Sequence, residues 1–575
     1  MTRRTPNRDW MTRGRYGLVA AACAACALVL VARAVDLQVV RRDFLRGQGD
    51  VRHVRTVPVP AHRGMLVDRN GEPLAISTPV WSIWADPGPL LAAPDHWGRL
   101  ADALEVPAAE LARRVREARG RQFVWLKRHL TPVRAEEVLA LDIPGVGKRR
   151  EYRRYYPTGE VSGHVLGFTG IDDRGQEGLE LAYDDWLSGR AGRKRVVQDR
   201  LGHVVEDLEL VRPAEHGRDL RVSLDRRLQY LAYRELKTAV ARHGARGGSL
   251  VMLDVRTGEV LAMVNQPAFN PNDRSERSGS VVRNRAVTDV FEPGSTMKAL
   301  TVAAALESGE FTPETPVFTA PGRLRVAGHT ISDYRDLGEL DVAGVVRMSS
   351  NVGASRIALS LEARTLWRTF AAFGLGMPTG SGFPGEAGGK LMPPGEWGPV
   401  EQATMAFGYG VSVTPLQLVR AYAAIAADGV LPPIRFRAVP GPGAVADARE
   451  RVVGTDTARA IRSMLESVVS PQGTGQRAAV AGYRVAGKTG TAHKLARSGY
   501  AEDRYRALFA GFAPASHPRI AAVVVLDEPR GEEYYGGQVS APVFARVMAG
   551  ALRLLDVRPD DSGQGVLAVN AEARP

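Results

Sequence analysis

Glu292-Pro293-Gly294-Ser295-Thr296-Met297-Lys298 runs directly into an apolar stretch containing Leu300 and Val302 to Ala305. Pro-Gly ends an extended segment, and the apolar run predicts a helix that starts at Ser295. Ser295 and Lys298 then lie one turn apart on one helical face. A serine hydroxyl needs a base beside it to act as a nucleophile. Lysine can serve only when burial or positive potential lowers its pKa. The first turn of a helix supplies such potential and favours a developing alkoxide. Ser-x-x-Lys alone is a weak signal, since about a third of a match is expected by chance in this composition.

Two further patterns stand downstream. Ser349-Ser350-Asn351 opens what reads as a helix over 352–361 and by itself fits an N-cap. Lys488-Thr489-Gly490-Thr491 by itself fits a strand-end turn, and such a run arises by chance about once in twenty-five sequences. It overlaps Gly482-Tyr483-Arg484-Val485-Ala486-Gly487-Lys488-Thr489, which satisfies the phosphate-loop expression GxxxxGK[ST]. That motif needs a cradle of backbone amides and a helix starting at the lysine. Here the four middle residues read as extended, Gly490 follows Thr489 directly, and no Walker-B-like acidic strand is evident. The nucleotide reading is set aside. All three patterns in this order arise by chance in about one chain in a thousand.

Composition narrows the class. With 575 residues, 44% of them hydrophobic and 24% charged, the chain has room for two to four domains and is neither fibrous nor mainly disordered. The net charge of +13 is spread through alternating acidic and basic residues without a long basic block, which predicts a basic surface and no nucleic-acid partner. Only eight of the 76 basic residues are lysines, and two of them are Lys298 and Lys488. A guanidinium holds its proton too tightly to act as a base, so arginine could not substitute there. The eleven histidines are scattered and contain no His-Glu-x-x-His run, which predicts no metal and no cofactor.

Arg3, Arg4, Arg8, Arg13 and Arg15 precede an uncharged run over 17–32. Ala32-Arg33-Ala34 resembles a signal-peptide cleavage site, but a run of sixteen residues is long for one. The favoured reading is an uncleaved single-pass anchor over 17–36, with 1–16 cytoplasmic and the remainder periplasmic, outside the inner membrane. Cys23 and Cys26 fall inside the apolar run and read as packing residues rather than a redox pair. Residues 37–220 are Arg-rich and mixed, with an amphipathic helix at 108–119. From 221 to 558 the elements become long and clean. They include a helix over 225–240, apolar runs at 249–255 and 259–264 joined by Arg256-Thr257-Gly258, strands at 507–512 and 520–526, and a helix over 541–555. A sheet drawing strands from both ends of a domain, with helices between, is an α+β pattern. Residues 559–575 read as a tail.

The ordered triple resembles the signature of the penicillin-binding protein and serine β-lactamase superfamily. Arg63-Gly64, Asp68-Arg69-Asn70-Gly71, Arg153-Arg154-Tyr155-Tyr156-Pro157-Thr158-Gly159-Glu160 and Gly175-Gln176-Glu177-Gly178 resemble pedestal motifs of class B penicillin-binding proteins. The segment Asn284 to Ser295 and Phe407-Gly408-Tyr409-Gly410 resemble the division-specific branch, the FtsI-type D,D-transpeptidases. Elongation-specific relatives usually carry Pro-Pro-Gly-Ser where this chain has Glu292-Pro293-Gly294-Ser295.

The resemblance implies a membrane helix, an elongated mixed α/β pedestal (dimerisation-type) domain at 37–220 and a transpeptidase domain at 221–558 with a central antiparallel sheet flanked by helices. It implies that Ser295 attacks the D-Ala–D-Ala bond of peptidoglycan stem peptides, with Lys298 as general base. Ser349 would pass a proton to the leaving amine, and Asn351 would hold Lys298 and the substrate amide. Lys488 would add positive potential, while Thr489, Gly490 and Thr491 would line the carboxylate site. The backbone amides of Ser295 and Thr491 would form the oxyanion hole, and Tyr409, Tyr534 and Tyr535 fall where relatives line the substrate groove. β-Lactams would acylate the same serine. The partners implied are a polytopic septal glycosyltransferase (FtsW-like) and other divisome proteins. An elongation role, a β-lactamase and a β-lactam sensor are the alternatives; the last two usually lack a pedestal or need an intracellular effector domain.

Overall fold

A computed structural model describes residues 9–42, 54–198, 204–439, 450–496 and 499–561. Most of the expected tail at 559–575, and positions 1–8 of the expected cytoplasmic segment, lie outside the described residues. The N-terminal helix Asp9–Val35 continues through one π-helical turn, Asp36–Val40. Its apolar span covers Arg15–Val40, with a mean hydropathy of 2.4 and no buried residue. At 1.5 Å per residue it measures about 39 Å, against a bilayer core of about 30 Å. Among the described residues it is the one helix long and apolar enough to cross a membrane. Arg33 binds Asp36 (Nη1–Oδ2 2.8 Å), which also takes Arg41.

The chain forms two compact units. The first takes residues 1–61, 79–152 and 190–216. Strand Val124–Leu130 and helices Trp97–Leu104, Ala108–Glu117 and Pro132–Leu139 enclose a core that includes Ile83, Leu100, Leu104, Leu111, Val115, Leu126 and Val138. The helix expected at 108–119 ends at Glu117, and Leu111 and Val115 share its buried face.

The second unit takes 62–78, 153–189 and 217–575. Its strands are β1 (Gly247–Asp254), β2 (Val260–Gln266), β3 (Ala486–Ala496), β4 (Gly499–Ala513) and β5 (Ile520–Asp527). They form one antiparallel sheet in the order β2-β1-β5-β4-β3, so β3 is an edge. Alternation sorts the core into two layers. Leu250 and Met252 of β1 join the core of α1 (Arg226–Arg242) and α7 (Ala541–Leu554). Val251 and Leu253 join that of α2 (Lys298–Glu307), α3 (Val342–Met348), α4 (Asn351–Ser360), α5 (Pro415–Ala426) and α6 (Thr455–Val469).

Segments 62–78 and 153–189, which the sequence reading places in the pedestal, are tied together in this unit by buried charge. Arg63 and Arg154 both bind Glu180 (2.7 and 2.6 Å), and Arg63 also binds Asp184 (2.6 Å). Arg63 is 1% exposed and Glu180 0%, so losing one partner would strand a buried charge.

Candidate active site

Pro293 and Gly294 lead into a single 3-10 turn, Gly294–Met297, and the α-helix starts only at Lys298. The sequence reading puts the α-helix at Ser295; the difference has a local cause. Thr296 Oγ1 donates to Pro293 O (2.8 Å), which favours a tight turn here. A 3-10 turn eclipses residues i and i+3. Lys298 Nζ therefore sits 3.0 Å from Ser295 Oγ. Tyr422, fully buried on α5, donates to Thr296 O (2.9 Å) and fixes the turn from behind.

The second pattern divides its labour. Ser350 is the N-cap of α4, accepting from Gly353 N (2.8 Å). Ser349 and Asn351 turn the other way. Lys298 Nζ donates to Ser349 O, to Asn351 Oδ1 (2.8 Å) and to Ser349 Oγ (3.2 Å). Ser349 has φ +60°, a strained conformation for a residue with a Cβ.

The third pattern lies inside β3, not at a strand-end turn: Lys488 pairs with Ala510, and Thr491 with Ala507. A phosphate loop needs a helix here, so that reading fails on geometry. Lys488 Nζ donates to Ser349 Oγ (2.9 Å), which places both lysines on one hydroxyl. Thr489 Oγ1 meets Thr474 Oγ1 at 2.9 Å, and Thr491 Oγ1 accepts from Gly536 N (2.9 Å).

Both lysines are fully buried. Burial, followed by the charge of Lys488, holds the Lys298 amine well below its ordinary range, against an opposing pull from Asp333. Burial pushes Lys488 down to about 7. Ser295, Lys298, Ser349, Asn351 and Lys488 thus form one hydrogen-bonded cluster with a depressed amine against a serine hydroxyl.

Residues 248–549 match the family model of the penicillin-binding protein transpeptidase domain, and 58–222 match that of the penicillin-binding protein dimerisation domain. The chain belongs to the penicillin-binding protein transpeptidase family. It is 43% identical over 553 residues to the peptidoglycan D,D-transpeptidase FtsI of Escherichia coli K12, across 95% of this chain and 92% of that one. The apo TP domain of penicillin-binding protein 3 from Burkholderia pseudomallei is 45% identical, with a TM-score of 0.55 over 59% of this chain and 97% of that one. Penicillin-binding protein 3 of Mycobacterium tuberculosis, in complex with aztreonam, is 29% identical, with a TM-score of 0.67 over 88% and 98%.

Five tyrosines near β3 of this penicillin-binding protein fall into two groups. Tyr409 Oη accepts from His493 N (3.2 Å) on β3, and its ring meets Tyr500 edge-on at 5.2 Å. Tyr534 stacks on Tyr535 and on Tyr505, each at 4.4 Å. Gly536 lets that second group lie against β3, because a Cβ there would come within 2.3 Å of Gly490 O. Glu292 Oε1 accepts from Gly410 N (2.8 Å) and Tyr500 Oη (2.9 Å), joining the serine segment to the first group.

Four participants escape sequence reading: Thr474, Tyr500, Tyr505 and Asp333. Asp333 precedes the second pattern by sixteen residues, with no motif to mark it. It accepts from Ser350 Oγ, Asn351 N and Val352 N, and so sets the turn that carries Ser349 and Asn351. Asp333→Ala strands three donors and will cost about 2–4 kcal/mol of stability. It will also slow penicillin labelling about tenfold to a hundredfold, through displacement of that turn. Stopped-flow acylation and thermal melting check this, with Asp333→Asn, which keeps an acceptor oxygen, as the milder comparison.

Proposed function

We propose that this chain is a septal peptidoglycan D,D-transpeptidase working through a serine acyl-enzyme. The observation that carries the reading is the depressed, fully buried amine of Lys298 at 3.0 Å from Ser295 Oγ. Ser295 Oγ attacks the carbonyl carbon between the two D-alanines, and its proton passes to Lys298 Nζ. The backbone amides of Ser295 and Thr491 receive the oxyanion. The C–N bond then breaks, Ser349 hands a proton to the departing amine, and D-alanine leaves. Lys298 resupplies Ser349 across their 3.2 Å contact. An amine of a neighbouring stem peptide attacks the ester, gives up a proton to the same pair, and expels Ser295 as its hydroxyl. Asn351 orients Lys298 and the substrate amide. Lys488, Thr489 and Thr491 hold the terminal carboxylate, and the edge strand β3 around Gly490 offers main-chain pairing to the extended peptide. Tyr409, Tyr534 and Tyr535 line the groove.

β-Lactams imitate the D-Ala–D-Ala bond and acylate Ser295. The five arginines before the apolar helix favour a cytoplasmic N-terminus, which sets the catalytic unit in the periplasm. Residues 37–220 supply the pedestal-type (dimerisation) domain, of which 62–78 and 153–189 pack in the same compact unit as the catalytic domain at 221–558. The glycan strands are supplied by a polytopic, FtsW-like septal glycosyltransferase among other divisome proteins. Relatedness to FtsI at 43% identity supports the septal role.

Incubation with a fluorescent penicillin tests the chemistry. A stable label, absent in Ser295→Ala with an unchanged melting curve, is the expected result; rapid loss of label with continuing hydrolysis would mean a β-lactamase. Depletion in the native host separates the cellular roles: filaments mean septation, and rounded cells mean elongation.

A further inference from the structure

A small hairpin beside the cluster, Arg323–Val326 paired with His329–Ser332, has two unlike faces. Val326 and Ile331 are buried with Ala403 and Phe407, and Leu324 and Tyr409 pack against them. On the outer face Arg323 stands across from Ser332, and Arg325 across from Thr330, all four exposed. Neither arginine has an ion-pair or hydrogen-bond partner among the described residues. The row begins at the rim of the active site, since Ser332 O accepts from Asn351 Nδ2 (3.2 Å) and the next residue is Asp333. Cross-strand spacing puts the Arg323 and Arg325 backbones about 5 and 8 Å from that of Ser332. Just beyond Asp333, Tyr334 is 65% exposed, with the Arg335 guanidinium 5.3 Å from its ring centre.

We propose that this arginine-bearing face is an exosite for carboxylates of the peptidoglycan strand, outside the reacting D-Ala–D-Ala unit. The proposal rests on the transpeptidase reading above. Lys488, Thr489 and Thr491 account for the terminal carboxylate alone, whereas a stem peptide bears further carboxylates along its length. Arginine forks match carboxylates in two-point contact. A cationic face continuous with the active-site rim fits a polyanionic strand whose end lies at Ser295, and Tyr334 offers a flat ring for its less polar stretches. A small β-lactam covers only the reacting bond and does not reach the exosite.

The test uses the full-length protein in detergent micelles with un-cross-linked nascent peptidoglycan bearing pentapeptide stems. Arg323→Glu combined with Arg325→Glu is expected to raise KM for cross-linking about tenfold and to flatten its salt dependence, with kcat within about twofold. The penicillin acylation rate stays within about twofold of wild type. Strands whose stem carboxylates are amidated give the wild-type protein the same raised KM. An unchanged KM in the variant, equal KM for free and amidated strands, or a matching loss of penicillin acylation would each overturn the exosite. So would unchanged strand binding together with lost binding to anionic phospholipid vesicles, which would assign the face to a membrane. Failure of the underlying reading looks different, because the wild-type protein would then neither hold a penicillin label nor cross-link.

Discussion

A Lys298→Arg variant will not be labelled by penicillin at any pH between about 6 and 9, whereas the wild-type protein will be labelled throughout the upper part of that range. Arginine keeps the positive charge and most of the length, so a purely electrostatic role for Lys298 predicts substantial survival. A base role predicts none, because guanidinium does not release its proton in this range. Lys298→Ala is expected to lose about a thousandfold or more in acylation rate, within the usual span for a positioned base. The sign of the pH dependence follows from the direction of the shift. The amine of Lys298 lies well below its ordinary range, so its free-base form is populated at lower pH than that of an ordinary lysine. Acylation falls as pH drops through that lowered value and the amine takes up a proton. Lys488 contributes to the depression, and both amines meet at Ser349 Oγ (3.2 and 2.9 Å), so the acid limb reports the pair. Removing the second charge, as in Lys488→Met, will let the Lys298 amine rise and move the acid limb to higher pH. Rapid-mixing acylation across a pH series reads both effects. Normal labelling of Lys298→Arg, or a limb that moves to lower pH in Lys488→Met, would remove the base assignment.

The cluster is legible in the sequence wherever a side chain's chemistry is unusual for its neighbourhood. Lys298 and Lys488 stand out in a chain with 68 arginines and eight lysines. The helices of the second unit are legible through periodicity and its hairpin through two short apolar runs, and β1 is apolar on both sides because its two faces belong to separate cores. Legibility fails where tertiary contact decides. Ser349-Ser350-Asn351 reads as an N-cap because Ser350 is one, but spacing does not say that its neighbours face a lysine fifty residues away. Lys488-Thr489-Gly490-Thr491 reads as a turn through its glycine, yet this glycine lies within β3, where a side chain would strike Leu508 at 2.7 Å. Asp333 is silent for a different reason. An acidic residue in a short polar stretch looks like an ordinary loop residue, and only the fold reveals the three donors it accepts from. Likewise Tyr505 lies outside the strand read at 507–512, and only the fold shows Tyr534 stacked on it.

Gly408→Ala will silence the active site from a position that holds no catalytic group. Gly408 has φ +88°, and a Cβ there would lie 2.2 Å from Gly294 O and 2.5 Å from Gly294 N. Those atoms are main chain of the serine turn, already held by Gly294 N donating to Gly408 O (3.2 Å) and by Tyr422 donating to Thr296 O (2.9 Å). No flexible side chain is present to swing aside, so the turn or the Phe407–Tyr409 segment must move by about an ångström. Displacement on that scale can cost about a hundredfold when it misplaces a nucleophile. The 3.0 Å Ser295–Lys298 contact is the distance most exposed to it. Backbone strain and overpacking together will also lower stability by about 2–4 kcal/mol. Gly410→Ala is the informative control. Gly410 has φ +80°, but the nearest atom to its Cβ would be in the Met405 side chain at 3.7 Å, so it carries the conformational strain without the collision. The expected order is wild type, then Gly410→Ala with a modest loss of stability and near-normal labelling, then Gly408→Ala with labelling slowed about a hundredfold or more. Equal labelling rates for the two variants, measured on folded protein, would show that conformational strain alone governs this segment and that the close approach to Gly294 does not set the position of Ser295.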